Sequence, residues 1–388
     1  MTGLDDKQFV LPEAEGGAGG GASGSGGGGG NASGCGDAAP PPMPVISHNV
    51  LAWASSELGG DTAPNANDGN YGTVWRSGAV PAWLAYDLSS VDPASRQRVV
   101  AVFYNPTSQY DHTLHGVDAY SIPASYVIEA NAALGGGSPP DERWVTLATV
   151  EGNTLHSRQH VLELGGYTWI RLRATASDGS PENDDVAIDF DVHDASGGVC
   201  DDWIVFGDGA ALTGLRVASP DGDSLASLIN AQRSDRFPLI ENGSQDYWST
   251  DDGRKHILGP DGWLAAFPGH WVGLAFGWED AITTEPDPAA FASYMKDLAT
   301  QVLEAGKVPV IPTIPWHADP TVRARIDAMN AEILALYDEV PQVVRGPDLY
   351  QAFEGHAYDD QLWLTDEGAL LYRQSWADTL LARVYAPR

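Results

Sequence analysis

The apolar pattern of this chain changes period at Cys200, and that change limits the folds open to it more than any other feature. Ahead of it, short alternating or apolar stretches at 83–88, 99–104, 126–130, 144–148, 159–164, 168–174 and 186–192 are separated by turn residues, the rhythm of antiparallel β-structure. No helical periodicity of any length is read there. Behind it, strands at 203–206, 237–240, 271–276, 308–314 and 343–346 alternate with helices at 224–232, 288–305, 320–338 and 365–385. Such repetition implies a parallel sheet with crossover helices and a site at the strands' carboxyl ends. The expected fold class is therefore two domains, an all-β sandwich followed by an α/β three-layer domain.

A length of 388 residues with 43% apolar content suffices for both cores. The division expected is a Gly/Pro-rich disordered leader and linker at 1–44, the sandwich at 45–196 and the α/β domain at 200–388, because glycine, alanine, serine and proline at 16–44 cannot bury enough apolar surface to offset ordering. The formal charge of -32, from 53 acidic against 21 basic residues, is spread along both halves. It argues against nucleic acid and anionic membrane as partners. No apolar run approaches the roughly 18 to 20 residues that span a bilayer. Residues 1–13 are too acidic for a signal peptide, whereas a glycine tract ahead of a binding module suits a secreted protein, so an extracellular or cell-surface location is expected. Cys35 and Cys200 are too few for a disulfide framework or a cysteine metal site, though one bridge between them is open.

The first half carries Ala54-Ser55-Ser56-Glu57, Ala66-Asn67-Asp68-Gly69-Asn70, Thr73-Val74-Trp75-Arg76-Ser77 and Trp83-Leu84-Ala85-Tyr86-Asp87-Leu88, with later matches at Tyr126-Val127-Ile128-Glu129 and Trp169-Ile170-Arg171-Leu172-Arg173. Over 49–194 it resembles the discoidin, or coagulation factor 5/8 type C, family, which implies a galactose-binding-like jelly-roll sandwich that binds carbohydrate. The resemblance implies a structural Ca2+ held by Ala66, Asp68, Thr73 and Asp189, the last standing where a glutamate is usual. The ligand chemistry suits calcium, while an Asx-type turn without metal is the alternative reading. Sugar ligands in the family sit on loops at one end. That places Tyr110, His112 and His115 as candidate contacts, with Trp53 as a further stacking face. Trp75 and Trp83 read as core.

The second half resembles the SGNH, or Gly-Asp-Ser-Leu, hydrolases, a flavodoxin-like fold. The four blocks are Ile204-Val205-Phe206-Gly207-Asp208-Gly209, Glu241-Asn242-Gly243-Ser244, Gly277-Trp278-Glu279-Asp280 and Asp360-Gln361-Leu362-Trp363-Leu364-Thr365. In that family these supply the nucleophilic serine, a glycine amide and an asparagine for the oxyanion, and the histidine base. Here Gly209 stands at the serine position, Glu279 at the asparagine position and Trp363 at the histidine position, while Asp208, Gly243 and Asp360 are retained. Glycine offers no hydroxyl, an ionised Glu279 opposes a developing oxyanion, and tryptophan accepts no proton at neutral pH.

The literal Gly222-Asp223-Ser224-Leu225 follows a polar loop, not a buried strand, and reads as a helix N-cap. The leading expectation is thus a secreted, monomeric protein that binds carbohydrate or polysaccharide, with a degenerate esterase domain and no organic cofactor. The alternative is an active carbohydrate esterase (deacetylase) using a relocated Ser224 or Ser244 with His317 or His356, although a lone loop histidine reads more readily as surface. A third reading makes Asp208 and Glu279 an acid/base pair for glycoside chemistry, which requires a separation of roughly 5 to 9.5 Å.

Overall fold

The computed structural model describes residues 35, 39–105, 121–178, 184–217, 222–259, 262–283, 287–355 and 364–386. Both halves have the expected class. In the first, strands numbered along the chain form a five-stranded antiparallel sheet in the order β1 (Leu51–Ala54), β3 (Ala82–Asp87), β8 (Trp169–Ser177), β5 (Pro123–Asn131), β6 (Val145–Val150). A second sheet has the order β2 (Trp75–Arg76), β9 (Ala187–Asp194), β4 (Arg98–Tyr104), β7 (Ser157–Glu163). The inward residues, among them Leu84, Tyr86, Val99, Phe103, Ile128, Leu172 and Phe190, form the core between them, and Trp75 is fully buried. Trp83 departs from expectation. It is only partly buried, because strand alternation turns it away from Leu84 and the core.

In the second half β10 (Asp202–Gly207), β11 (Leu239–Asn242), β12 (Trp271–Ala275), β13 (Val308–Ile311) and β14 (Val344–Arg345) form a parallel sheet ordered β11-β10-β12-β13-β14. This is the doubly wound, flavodoxin-like 2-1-3-4-5 arrangement, with its switch point between β10 and β12. The helices described are α1 (Gly209–Leu215), α2 (Leu225–Gln232), α3 (Thr250–Ile257), α4 (Trp263–Ala266), α5 (Trp278–Thr283), α6 (Pro288–Glu304), α7 (Pro320–Glu339), α8 (Leu349–Phe353) and α9 (Asp366–Arg383). Alternate residues of β10 feed two cores, one on each sheet face: Ile204 and Phe206 pack with residues of α6 and α7, Trp203 and Val205 with α1, α2 and α9. None of the described helices is long and apolar enough to cross a membrane.

The halves are packed together. Val100, Val102 and Tyr104 of β4 point away from the sandwich core, and they cluster with Tyr71 and, from the α/β half, with Phe237 and Leu239. β4 is thereby apolar on both sides, which is why every one of its residues after Arg98 is buried. Gln159 donates to Asp202 at 2.8 Å across this seam, and the His156 ring meets Trp263 edge-on at 4.9 Å. The linker's end is clamped as well. Arg236 pairs with Asp201 at 2.9 Å and donates to the Pro40 carbonyl at 2.8 Å, and Cys35 is disulfide-bonded to Cys200.

Candidate functional site

β10 ends at Gly207, and Asp208 follows with 1% of its surface exposed. Its Oδ1 accepts the N–H groups of Ala210 (3.1 Å) and Ala211 (3.5 Å), which start α1. Its Oδ2 accepts those of Trp278 (2.8 Å) and Glu279 (3.3 Å), which start α5. One carboxyl group thus caps two helices, satisfying N–H groups that have no partner within their own first turns. Gly277 makes the second cap feasible: its φ of +116° turns the chain from β12 into α5, and a Cβ there would lie 2.4 Å from Ile314. Gly209 occupies the first turn of α1, buried and without a hydroxyl.

The other blocks are also tied into the scaffold. The Gly243 N–H donates to the Val205 carbonyl at 2.8 Å. The bond is a continuation of the parallel ladder between β10 and β11, so the amide is engaged within the sheet. The Ser244 hydroxyl, fully buried, donates to the same Val205 carbonyl at 3.2 Å. Ser224 is the N-cap of α2 and accepts the Ser227 N–H at 3.0 Å. His317 departs from expectation, being 2% exposed where a surface position was expected. Its ring lies edge-on to Trp278 at 5.1 Å and its Nδ1 accepts the Asp319 N–H at 3.0 Å. Trp278, itself 1% exposed and part of the core, packs against the imidazole and helps to bury it.

Among the described residues, a cavity of ≈ 10 Å³ lies at the strand ends, lined by Asp208, Ala210, Ala275, Trp278, Ile314 and Tyr372 among others. That is room for about one water molecule. Glu279 is half-buried, and burial followed by the nearby Asp246 raises its carboxyl above the ordinary range. His356, Asp360 and Trp363 lie outside the described residues, as do Tyr110, His112 and His115.

Buried acids surround this region. Burial pushes Asp208 up to about 7, the neighbouring Asp280 adds to that, and the N–H groups of Trp278, Glu279 and Ala211 oppose it. Burial likewise pushes Glu241, at the seam, up to about 7. A carboxyl whose folded pKa exceeds its unfolded value of about 4 binds more protons when folded, so its contribution is present at low pH and lost as pH rises through 7. Neutral buried His156, lowered to about 4, and His160, lowered to about 3, act oppositely, but only below about pH 6.5. Between about pH 8 and 6.5 Asp208 and Glu241 together are expected to add on the order of 1 to 2 kcal/mol of stability on acidification. Urea unfolding at the two pH values measures it, and a midpoint that falls on acidification would contradict the sign.

Trp53 does not lie on an end loop. It sits within β1 on the outward side of the five-stranded sheet, tilted against Trp169 at 5.3 Å. For the expected calcium ligands, Asp68 accepts the Asn70 N–H at 2.7 Å and the Thr73 hydroxyl at 2.9 Å, and the Ala66 carbonyl accepts the Tyr86 hydroxyl at 3.0 Å. Asp189 is buried with Oδ2 lacking a hydrogen-bond partner. Among the described residues no three His, Cys, Asp or Glu side chains form a metal-binding group.

No protein-family model matches the chain, and no curated protein matches it. Solved structures do. A Bacillus subtilis protein, YxiM, is 13% identical over 87% of this chain and 89% of its own, with a TM-score of 0.45. A lipase/acylhydrolase from Enterococcus faecalis is 18% identical over 48% of this chain and 98% of its own (TM-score 0.39). A chitosan-binding module, in complex with chitotriose, from a chitosanase/glucanase of Paenibacillus sp. IK-5 is 20% identical over 38% of this chain and 98% of its own (TM-score 0.28).

Proposed function

We propose that this chain is an extracellular carbohydrate-binding protein whose α/β half is an SGNH-type scaffold without hydrolytic chemistry. The observation that carries the second part is the consumption of the strand-end groups by the scaffold itself. Asp208 is held by four backbone N–H groups, and both the Gly243 amide and the Ser244 hydroxyl are spent on the Val205 carbonyl. Acyl transfer needs a nucleophile with a base beside it and donors aimed at the oxyanion, in a crevice wide enough for an ester. The cavity that the described residues leave beside Asp208, ≈ 10 Å³, is too small for one, which supports this reading. An export location is supported by the Cys35–Cys200 disulfide, which persists in oxidising surroundings. The full chain is expected to show no turnover of p-nitrophenyl acetate or acetylated xylan above a heat-denatured control. Hydrolysis that disappears in Ser244→Ala or Ser224→Ala would establish the active-esterase reading instead.

A structural calcium ion is proposed for the turn at Asp68. Hard oxygens of Ala66, Asp68, Thr73 and Asp189 suit the ion, and the unpartnered Asp189 Oδ2 supports it. Against it stand the Thr73 hydroxyl and the Ala66 carbonyl, both engaged within the protein. Calcium is expected to raise the melting temperature of chelator-treated protein by a few degrees, at about 2 to 4 °C per kcal/mol for a domain of this size. Identical melting with and without chelator would remove the ion.

A further inference from the structure

Strand pairing brings a set of side chains together on the outward side of the five-stranded sheet. One row across it is Trp53, Ala85, Arg171, Glu129, Thr146, and the next is Trp83, Arg173, Val127, Thr149. The intervening residues Ala52, Leu84, Leu172 and Ile128 point into the core, so these rows face away from it. Trp53 and Trp83 are both partly exposed and sit diagonally on β1 and β3, where Cβ atoms lie about 7 to 8 Å apart. Beside the two indoles, Glu129 Oε2 accepts Arg171 Nε at 2.7 Å and Arg173 Nε at 3.2 Å. The Arg171 guanidinium also lies 4.0 Å from the Trp144 ring centroid. Threonine hydroxyls end both rows.

We infer that this sheet face is a binding platform for a neutral, extended polysaccharide chain, distinct from the contacts that the sequence suggests for Tyr110, His112 and His115. The inference rests on the carbohydrate-binding reading above and names a site and ligand class for it. Indole rings offer flat apolar surface to the axial C–H faces of pyranose rings, and the guanidiniums and hydroxyls offer hydrogen bonds to ring substituents. Arg171 is held between a carboxylate and an aromatic ring, so little side-chain freedom remains to be lost on binding. Charge selects among glycans. A protein of net charge -32 repels polyanions at long range, while the carboxylate beside the indoles, Glu129, is already held by two guanidiniums and is not free to pair with a cationic amino sugar. A neutral β-linked glucan or xylan meets no such repulsion and needs no such partner.

The test is calorimetric titration of the full chain with xylohexaose and cellohexaose, at low and at high salt, with polygalacturonate and chitosan oligomers as charged controls. Trp53→Ala and Trp83→Ala are each expected to weaken binding of a neutral oligomer about tenfold or more, with little salt dependence, and Arg173→Gln by a smaller factor. Tyr110→Ala and His112→Ala are titrated in parallel as the competing location. Melting curves check that the tryptophan variants fold, and tryptophan fluorescence of the parent, perturbed by the sugar, gives a reading that needs no variant. Loss confined to the Tyr110 and His112 variants would overturn the platform and keep the carbohydrate-binding reading. Binding of charged glycans alone would overturn the ligand class, and no binding to any glycan would overturn both readings.

Discussion

Asp208→Ala is expected to destabilise the α/β half by about 3 kcal/mol, because it frees buried N–H groups at the start of two helices at once. For a unit of this size that is a fall of roughly 6 to 12 °C in melting temperature. Asp208→Asn should lose less, since its amide oxygen can keep one helix capped while its NH2 faces the other helix's donors. The pattern separates a capping role from a catalytic one. A catalytic aspartate could be removed with little loss of stability, and many such groups are held against the stability optimum. An Asp208→Ala protein that melts within about 1 °C of the parent would show that the four hydrogen bonds carry no weight.

The second large effect belongs to the bridge between Cys35 and Cys200, 165 residues apart. Closing a loop of that length restricts the unfolded chain by an amount worth about 5 kcal/mol in the chain-entropy account, and measured bridges deliver about 2 to 4 kcal/mol. The Cys35→Ser/Cys200→Ser double variant, or the parent under reductant, should melt lower by that amount. Reductant should leave the double variant unmoved. Equal melting of oxidised and reduced parent would mean that the clamp of Arg236 on Asp201 and Pro40 already fixes this end of the chain.

The element order was readable from the chain because it depends on local pattern. Strands at 99–104 and 271–276 and helices at 288–305 and 320–338 fall within about two residues of β4, β12, α6 and α7, the scatter inherent in helix and strand ends. Short helices were missed. α4, α5 and α8 span four to six residues, too few to display a 3.6-residue period, and α3 is polar over most of its length. The site was legible in identity and not in geometry. Gly209 announced the absent hydroxyl, but no residue pattern states that the Gly243 amide points along the ladder, or that the Trp278 ring packs against His317. Trp83 shows the same limit. Alternation gives it a side, and only the packed sheet tells which side is core. The seam was invisible for a related reason: β4 reads as an apolar run whether its second face meets a helix, another strand or a neighbouring domain.

That seam bears on how the protein can be taken apart. Severing the chain near residue 198 would deliver a sandwich whose flank of Val100, Val102 and Tyr104 has been stripped of Phe237 and Leu239. The isolated fragment would be sticky, and lectin assays run on it would report its adhesiveness along with any sugar. Here the unit of inheritance and the unit of handling differ: two folds, one inseparable particle.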